Sequence, residues 1–288
     1  MEEARFGPAG QSLSFSEKYK NMFDIPTHTA EHGLNAFEYQ CGRGVRVSQA
    51  SAEKLGKLAA EKGIELSLHA PYYISLSGLE EKTRMGSIRY VLESAAAVKA
   101  MGKRRVILHS GSCGKQTREQ ALELAKSTLK SCLDALDEQG FGDITLCPET
   151  MGKINQLGSL DEVMELCSID ERLIPCIDFG HLNARTLGGI SSKEHYAQIL
   201  DTVSDRLGSD RLKHFHAHFS KIEYTTGGEK RHLTFTDTQF GPEPIPLLEL
   251  IVERELFPTV ICESDGTQAE DASFMRRQYI ELREKIGR

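Results

Sequence analysis

Short apolar runs recur along the chain, each followed by a polar loop and then a longer stretch with apolar residues three or four apart. A short apolar run suits a buried strand, and the longer spacing suits one face of a helix. The runs lie at 5–9, 36–39, 65–69, 106–109, 144–149, 174–178, 212–218 and 259–263, and they predict eight strands. The helical stretches carry boundary signals. Thr117 and Gln120 are spaced for a capping box, followed by a stripe of Leu122, Ala125, Leu129, Cys132 and Leu136 before Gly140. Ser159 with Glu162, and Ser191 with Glu194, repeat that spacing. One helix is expected from about Ser48 to Gly63, and another, carrying Ile88, Leu92, Ala95 and Met101, up to Gly102. Pro244 and Pro246 suit the first turn of a helix with Leu247, Leu248 and Ile251, and a last helix is expected over 269–286.

Strands alternating with helices of these lengths predict a parallel sheet with crossover helices. Eight such units in 288 residues favour the α/β class and a closed (β/α)8 TIM barrel, with residues 1–288 as a single domain. No GxGxxG follows the first strand, which counts against a dinucleotide-binding sheet.

The net charge of −7 excludes a generally basic nucleic-acid coat but leaves room for a local basic face. No apolar run is long enough to span a membrane, and no N-terminal stretch has the order of a signal peptide. Seven scattered cysteines without a CxxC pair read as reduced, mostly buried thiols of a cytoplasmic protein. A cysteine-held structural zinc is not expected.

The chemistry is concentrated where the strands end. The third to sixth runs finish in His69, His109, Glu149 and Asp178, the eighth finishes in Glu263, and the seventh carries His214, His216 and His218. His181 follows Asp178 by three residues. In a barrel these ends converge on one mouth, where active sites are built. Imidazole and carboxylate ligands suit Zn²⁺, and also Mn²⁺ or Fe²⁺. Six or more such residues exceed the needs of one ion. Glu149, Asp178, His216 and Glu263 are spaced to share one ion, and His69 and His109 to complete a second beside Glu149.

These motifs resemble those of the endonuclease IV family of apurinic/apyrimidinic endonucleases. The matching stretches are His69-Ala70-Pro71-Tyr72, His109-Ser110-Gly111-Ser112, Pro148-Glu149-Thr150-Met151-Gly152, Asp178-Phe179-Gly180-His181, His216-Ala217-His218-Phe219-Ser220-Lys221 and Cys262-Glu263-Ser264. The resemblance runs in order from about residue 65 to 265; the first two strands match poorly. It implies three zinc ions. His69, His109 and Glu149 would hold one, and Glu149, Asp178, His216 and Glu263 a second. His181 would hold the third with an Asp-x-His pair from the loop after strand seven. Here that loop reads Gly227-Gly228-Glu229-Lys230-Arg231-His232, without the pair. Glu229 and His232 are the nearest substitutes, and His218 is another candidate. Two or three ions are therefore expected.

The resemblance further implies a monomer that cleaves double-stranded DNA 5′ to an abasic site. Metal-activated water would attack phosphorus, with Glu149 as the catalytic carboxylate. Tyr72 stands where the family places an aromatic wedge. Arg43, Arg46, Lys115, Lys153, Lys221, Lys230 and Arg231 are candidates for backbone phosphates, alongside Glu80, Glu223 and Glu243 in the same loops. The segment 219–243 is expected to be the longest loop at the mouth and to govern DNA preference. Two rivals remain: a sugar isomerase or epimerase of the xylose-isomerase-like barrels, and a non-catalytic metal-dependent DNA-end binder.

Overall fold

The computed structural model describes residues 2–287. Its strands are β1 (Arg5–Pro8), β2 (Ala36–Gln40), β3 (Glu65–His69), β4 (Arg105–Leu108), β5 (Thr145–Pro148), β6 (Cys176–Asp178), β7 (His216–Phe219), β8 (Lys221–Thr225), β9 (Gly228–Leu233) and β10 (Thr259–Cys262). Two parallel ladders, β1-β10-β7-β6 and β2-β3-β4-β5, form the wall. Single parallel bridges, Ala9 to Glu38 and Glu149 to Cys176, close the two seams. The result is the expected eight-stranded barrel with helices outside, among them α3 (Gln49–Glu61), α4 (Glu81–Ala100), α5 (Arg118–Glu138), α6 (Leu160–Cys167), α8 (Lys193–Leu207), α10 (Ile245–Glu253) and α11 (Gln268–Lys285).

The local signals explain several boundaries. Thr117 and Gln120 form both halves of a capping box on α5, as do Ser159 and Glu162 on α6. The Ser191–Glu194 expectation fails: α8 has Ser192 at its N-cap without a side-chain capping bond, and both Ser191 and Ser192 turn their hydroxyls to His195 Nδ1 instead. The run 212–218 is not one strand. Its first residues belong to a short helix, α9 (Ser209–Lys213), set off by Gly208 at φ 91°, and β7 starts only at His216. Between β1 and β2 lie two short helices, α1 (Leu13–Lys18) and α2 (Ile25–Glu31), which the periodicity did not signal. Six or seven residues are too few for a period to stand out.

The largest correction concerns 219–243. The segment is not an open loop, because β8 and β9 pair antiparallel as a hairpin that leans over the barrel mouth. Gly228, at φ 89°, bridges Lys153, and a Cβ there would lie 2.2 Å from Gly152 O. Glu229 N donates to Gly152 O at 3.1 Å, so β9 is docked on the loop after β5.

At the first seam a Cβ on Gly7 would lie 1.9 Å from Ala36 O. Only a hydrogen fits between β1 and β2 at that point. Gly7→Ala is therefore expected to destabilise the fold by about 1–3 kcal/mol, the usual cost of overpacking, read as a lower denaturation midpoint with unchanged slope. An unshifted midpoint would show that the seam has slack.

Candidate metal centre

Strand ends deliver the charged side chains to one open bowl of about 530 Å³. Glu149, just past β5, lies at its floor and is 1% exposed. Four imidazoles approach its carboxylate. His69 Nε2 and His109 Nε2 each lie 3.2 Å from Oε2, and His218 Nδ1 and His181 Nδ1 lie 3.1 and 3.3 Å from Oε1. Asp178 closes β6 and caps the next helix, α7 (Phe179–Arg185), by accepting from His181 N at 2.7 Å through Oδ1. This cap places His181 on the first turn of α7, at the bowl. The other carboxylate oxygen, Asp178 Oδ2, is buried without a hydrogen-bond donor, although His181 Nδ1 lies 3.2 Å away.

Three groups of candidate ligand atoms ring this floor. His69, His109 and Glu149 form one, Glu149, Asp178, His218 and Glu263 a second, and His181, His232 and Glu263 a third. Atoms within each group lie within 4.8 Å of one another. The donor set, mixed imidazole and carboxylate, fits divalent zinc, manganese or iron. The unpartnered Asp178 Oδ2 fits it too, since a buried carboxylate oxygen without a donor is costly unless a cation completes it. Tautomers agree at two positions. His69 Nδ1 donates to Ala70 O at 2.8 Å and His181 Nδ1 to Thr150 O at 2.9 Å, which frees Nε2 of each as a ligand atom.

His216 does not join Glu149, Asp178 and Glu263; His218 stands there instead. Register decides this. Asp178 pairs with His218, while His216 pairs with Cys176, one layer deeper in the barrel. Side chains two apart face the same way, so both point inward, but only the upper one reaches the mouth. His214, also considered, is the C-cap of α9 outside β7.

The substitutes proposed for the missing pair do converge. Glu229 Oε2 lies 3.5 Å from His181 Nε2 and Glu229 Oε1 lies 3.9 Å from His232 Nε2. Ser220 Oγ is 2.9 Å from His232 Nδ1 and steadies that ring. Gly152 makes room for this approach, since a Cβ there would lie 2.6 Å from Glu229 Cβ and 3.0 Å from His181 Cδ2.

The proposed DNA contacts fare unevenly. Tyr72 is 57% exposed at the rim, and its ring stacks on His109 at 5.4 Å. Arg43, Arg46, Lys115 and Lys153 are exposed. Lys221 is not available: it is buried, with Nζ donating to Asp237 O at 2.7 Å and to Glu243 Oε1 at 2.6 Å. Lys230 and Arg231 both pair with Glu223. One buried carboxylate escaped sequence reasoning. Glu38, in the middle of β2, is 0% exposed and lies 2.9 Å from His216 Nε2 and 3.0 Å from His218 Nε2. A glutamate inside the run Ala36-Phe37-Glu38-Tyr39 was a signal; it is an inward position of a buried strand.

Burial alone would neutralise these charges, and mutual pairing opposes it. For Glu149, desolvation is outweighed by His218, His109 and His181, and its carboxyl stays well below the usual range. Asp178 is pushed up to about 6 by burial, against His181. Burial disfavours charge on His181, but Asp178, Glu149 and Glu229 raise it well above the usual imidazole value. His218 is raised likewise, with Cys176, Glu263, Glu38 and Glu149 outweighing burial.

A family model described as a xylose isomerase-like TIM barrel matches residues 26–277. An uncharacterized protein of Methanocaldococcus jannaschii is 34% identical over 96% of this chain and 97% of its own length. A protein of Methanosphaera stadtmanae named "Probable endonuclease 4" is 26% identical, covering 74% of this chain and 77% of its own. Among solved structures, a D-tagatose 3-epimerase-like protein aligns with TM-score 0.72 at 20% identity, covering 99% of this chain and 100% of its own. Endonuclease IV from Thermus thermophilus aligns with TM-score 0.69 at 18% identity, covering 98% and 99%. These alignments share the fold.

Two outcomes are expected at this centre. His181 and His218 are raised above their ordinary values by the carboxylates around them, so they hold protons more tightly than free imidazoles and must give them up to ligate; zinc uptake should release protons. Titrating zinc into chelator-stripped protein in weak buffer with a pH indicator reads this, and uptake without acidification contradicts it. Second, Gly152→Ala, Glu229→Ala and His232→Ala should each lower bound metal by about one ion while two stay, by elemental analysis. Full metal content in all three variants would reduce the hairpin to a cover.

Proposed function

We propose that this chain, which belongs to the xylose isomerase-like TIM barrel family, is a metal-dependent hydrolase that cuts double-stranded DNA 5′ to an abasic site. It works as one domain, residues 1–288, and as a monomer in the cytoplasm. Among the described residues no helix is long and apolar enough to cross a membrane. The observation that carries the reading is the ring of three ligand groups around Glu149. A single-ion isomerase set needs only Glu149, Asp178, His218 and Glu263. It gives no task to His69, His109, His181, Glu229 and His232. The "Probable endonuclease 4" relatives support the same reading.

Two or three zinc ions, or manganese or iron in their place, would be held by these groups. Such ions supply positive charge against a phosphoryl group in transfer and make water more acidic. Glu149, kept ionised by its histidines, would hold ions of both groups and orient the attacking water between them. Tyr72, exposed at the rim, enters the gap left by the missing base, and the abasic sugar is extruded at little cost because it has no base to unstack. Arg43, Lys115 and Lys153 hold flanking phosphates.

A sugar isomerase or epimerase is the second reading. The sequestered Lys221, the pairing of Lys230 and Arg231 with Glu223, and the net charge of −7 favour it. One experiment separates the two: incubation with a duplex carrying one abasic site, beside incubation with a ketohexose. Cleavage leaving a 3′-hydroxyl is expected, and Glu149→Gln should lower it by at least ~100-fold with the fold retained by circular dichroism. Sugar turnover without cleavage would transfer the site to the second reading.

A further inference from the structure

Beneath the bowl lies a second layer of polar side chains that the proposed hydrolysis does not use. Glu38, Ser67 and His216 are all buried there, and Arg105 reaches in from the end of β4 away from the mouth. Their hydrogen bonds run in one direction. A guanidinium has only donors, so the 3.4 Å contact between Arg105 Nη1 and His216 Nδ1 makes that nitrogen an acceptor. The proton of His216 is then on Nε2, which donates to Glu38 Oε2 at 2.9 Å. Ser67 Oγ donates to the same oxygen at 2.8 Å. Oε2 is thus taken; Oε1 accepts from Gln40 Nε2 at 3.1 Å and also faces His218 Nε2 at 3.0 Å, a close charge contact without hydrogen-bond alignment, and that imidazole nitrogen has no other partner among the described residues. The other nitrogen of that ring, Nδ1, lies 3.1 Å from Glu149 Oε1 and 3.6 Å from Glu263 Oε2.

We infer that Glu38 is a positioning residue: braced by Arg105, His216 and Ser67, it holds the proton of His218 on Nε2 and presents Nδ1 to the candidate metal group. A carboxylate on the far nitrogen of a ligating imidazole fixes its tautomer and raises its basicity. This explains why the bowl combines two kinds of histidine. His69 and His181 are held through Nδ1 by backbone carbonyls, whereas His218, on a strand with its ring pointing across the barrel, finds no carbonyl and uses a carboxylate. It also gives His216 a task. Cys176, His216 and His218 have the spacing of ligands, but both ring nitrogens of His216 are engaged, one by a cation, so the layer is a brace and not an ion site.

The inference rests on the metal reading of the bowl and not on the DNA substrate. Its test is zinc affinity of the full chain, by competition with a chromophoric chelator at neutral pH, with the cobalt(II) absorption spectrum and the melting temperature of stripped protein alongside. Glu38→Gln removes the charge and keeps the shape. Affinity should fall by about 10–100-fold and the cobalt spectrum should change, with the stripped protein still folded. A merely structural glutamate would lower the melting temperature and leave affinity and spectrum as in the parent, and that result overturns the inference. If Glu38→Gln does not fold, Ser67→Ala decides, with a several-fold loss expected and parental affinity overturning it. A parent chain that shows this zinc dependence but spares abasic DNA defeats the proposed substrate alone.

Discussion

The architecture of the mouth depends on one buried carboxylate, Glu149, being kept charged. Removing a carboxylate from water is expensive, and the cost is tolerable only when opposite charge or donors surround it. Here four imidazoles, from β3, the residue after β4, β7 and α7, meet around its two oxygens. Each comes from a different element, so no local motif could assemble them. The closed barrel does so by fixing the distances between strand ends, which a flexible scaffold would have to fix at a cost in entropy.

The charged interior has two levels. Glu149 and its histidines form the upper one, open to the bowl; Glu38 with His216 and Ser67 forms the lower one, closed to solvent. His218 touches both carboxylates and joins the levels. In such a stack each member sets the protonation of the next, and a partly satisfied member would be worse than an apolar side chain. The hairpin of β8 and β9 adds a third element from outside the wall. Its docking through Gly152 and Gly228 and its anchoring by Lys221 turn a charged segment into part of the site.

The same hairpin weighs on the choice of substrate. Lys221, Lys230 and Arg231 all look like phosphate contacts by composition, yet each is engaged within the protein. The positive charge left at the rim comes from other loops, with Arg43, Lys115 and Lys153 exposed. An acidic chain with only a few free cations in these loops has no broad positive face, so any hold on an anionic ligand is local.

Much of this was legible in the sequence. Alternating apolar runs and amphipathic stretches specified the barrel, because strand and helix periods are local properties, and the capping boxes at Thr117 and Ser159 are satisfied within four residues. His69, His109, Glu149, Asp178, His181 and Glu263 could be singled out because a charged residue ending an apolar strand is unfavourable unless it has a use. The tertiary structure alone decided between His216 and His218, since both alternate inward along one strand and only the pairing of β7 with β6 sets their height. It alone brought Glu38 beneath the bowl, because its partners lie 29 and 178 residues away along the chain. It alone withdrew Lys221 from the surface, for the same reason: whether a charged side chain meets water or a distant carboxylate is settled by the fold around it.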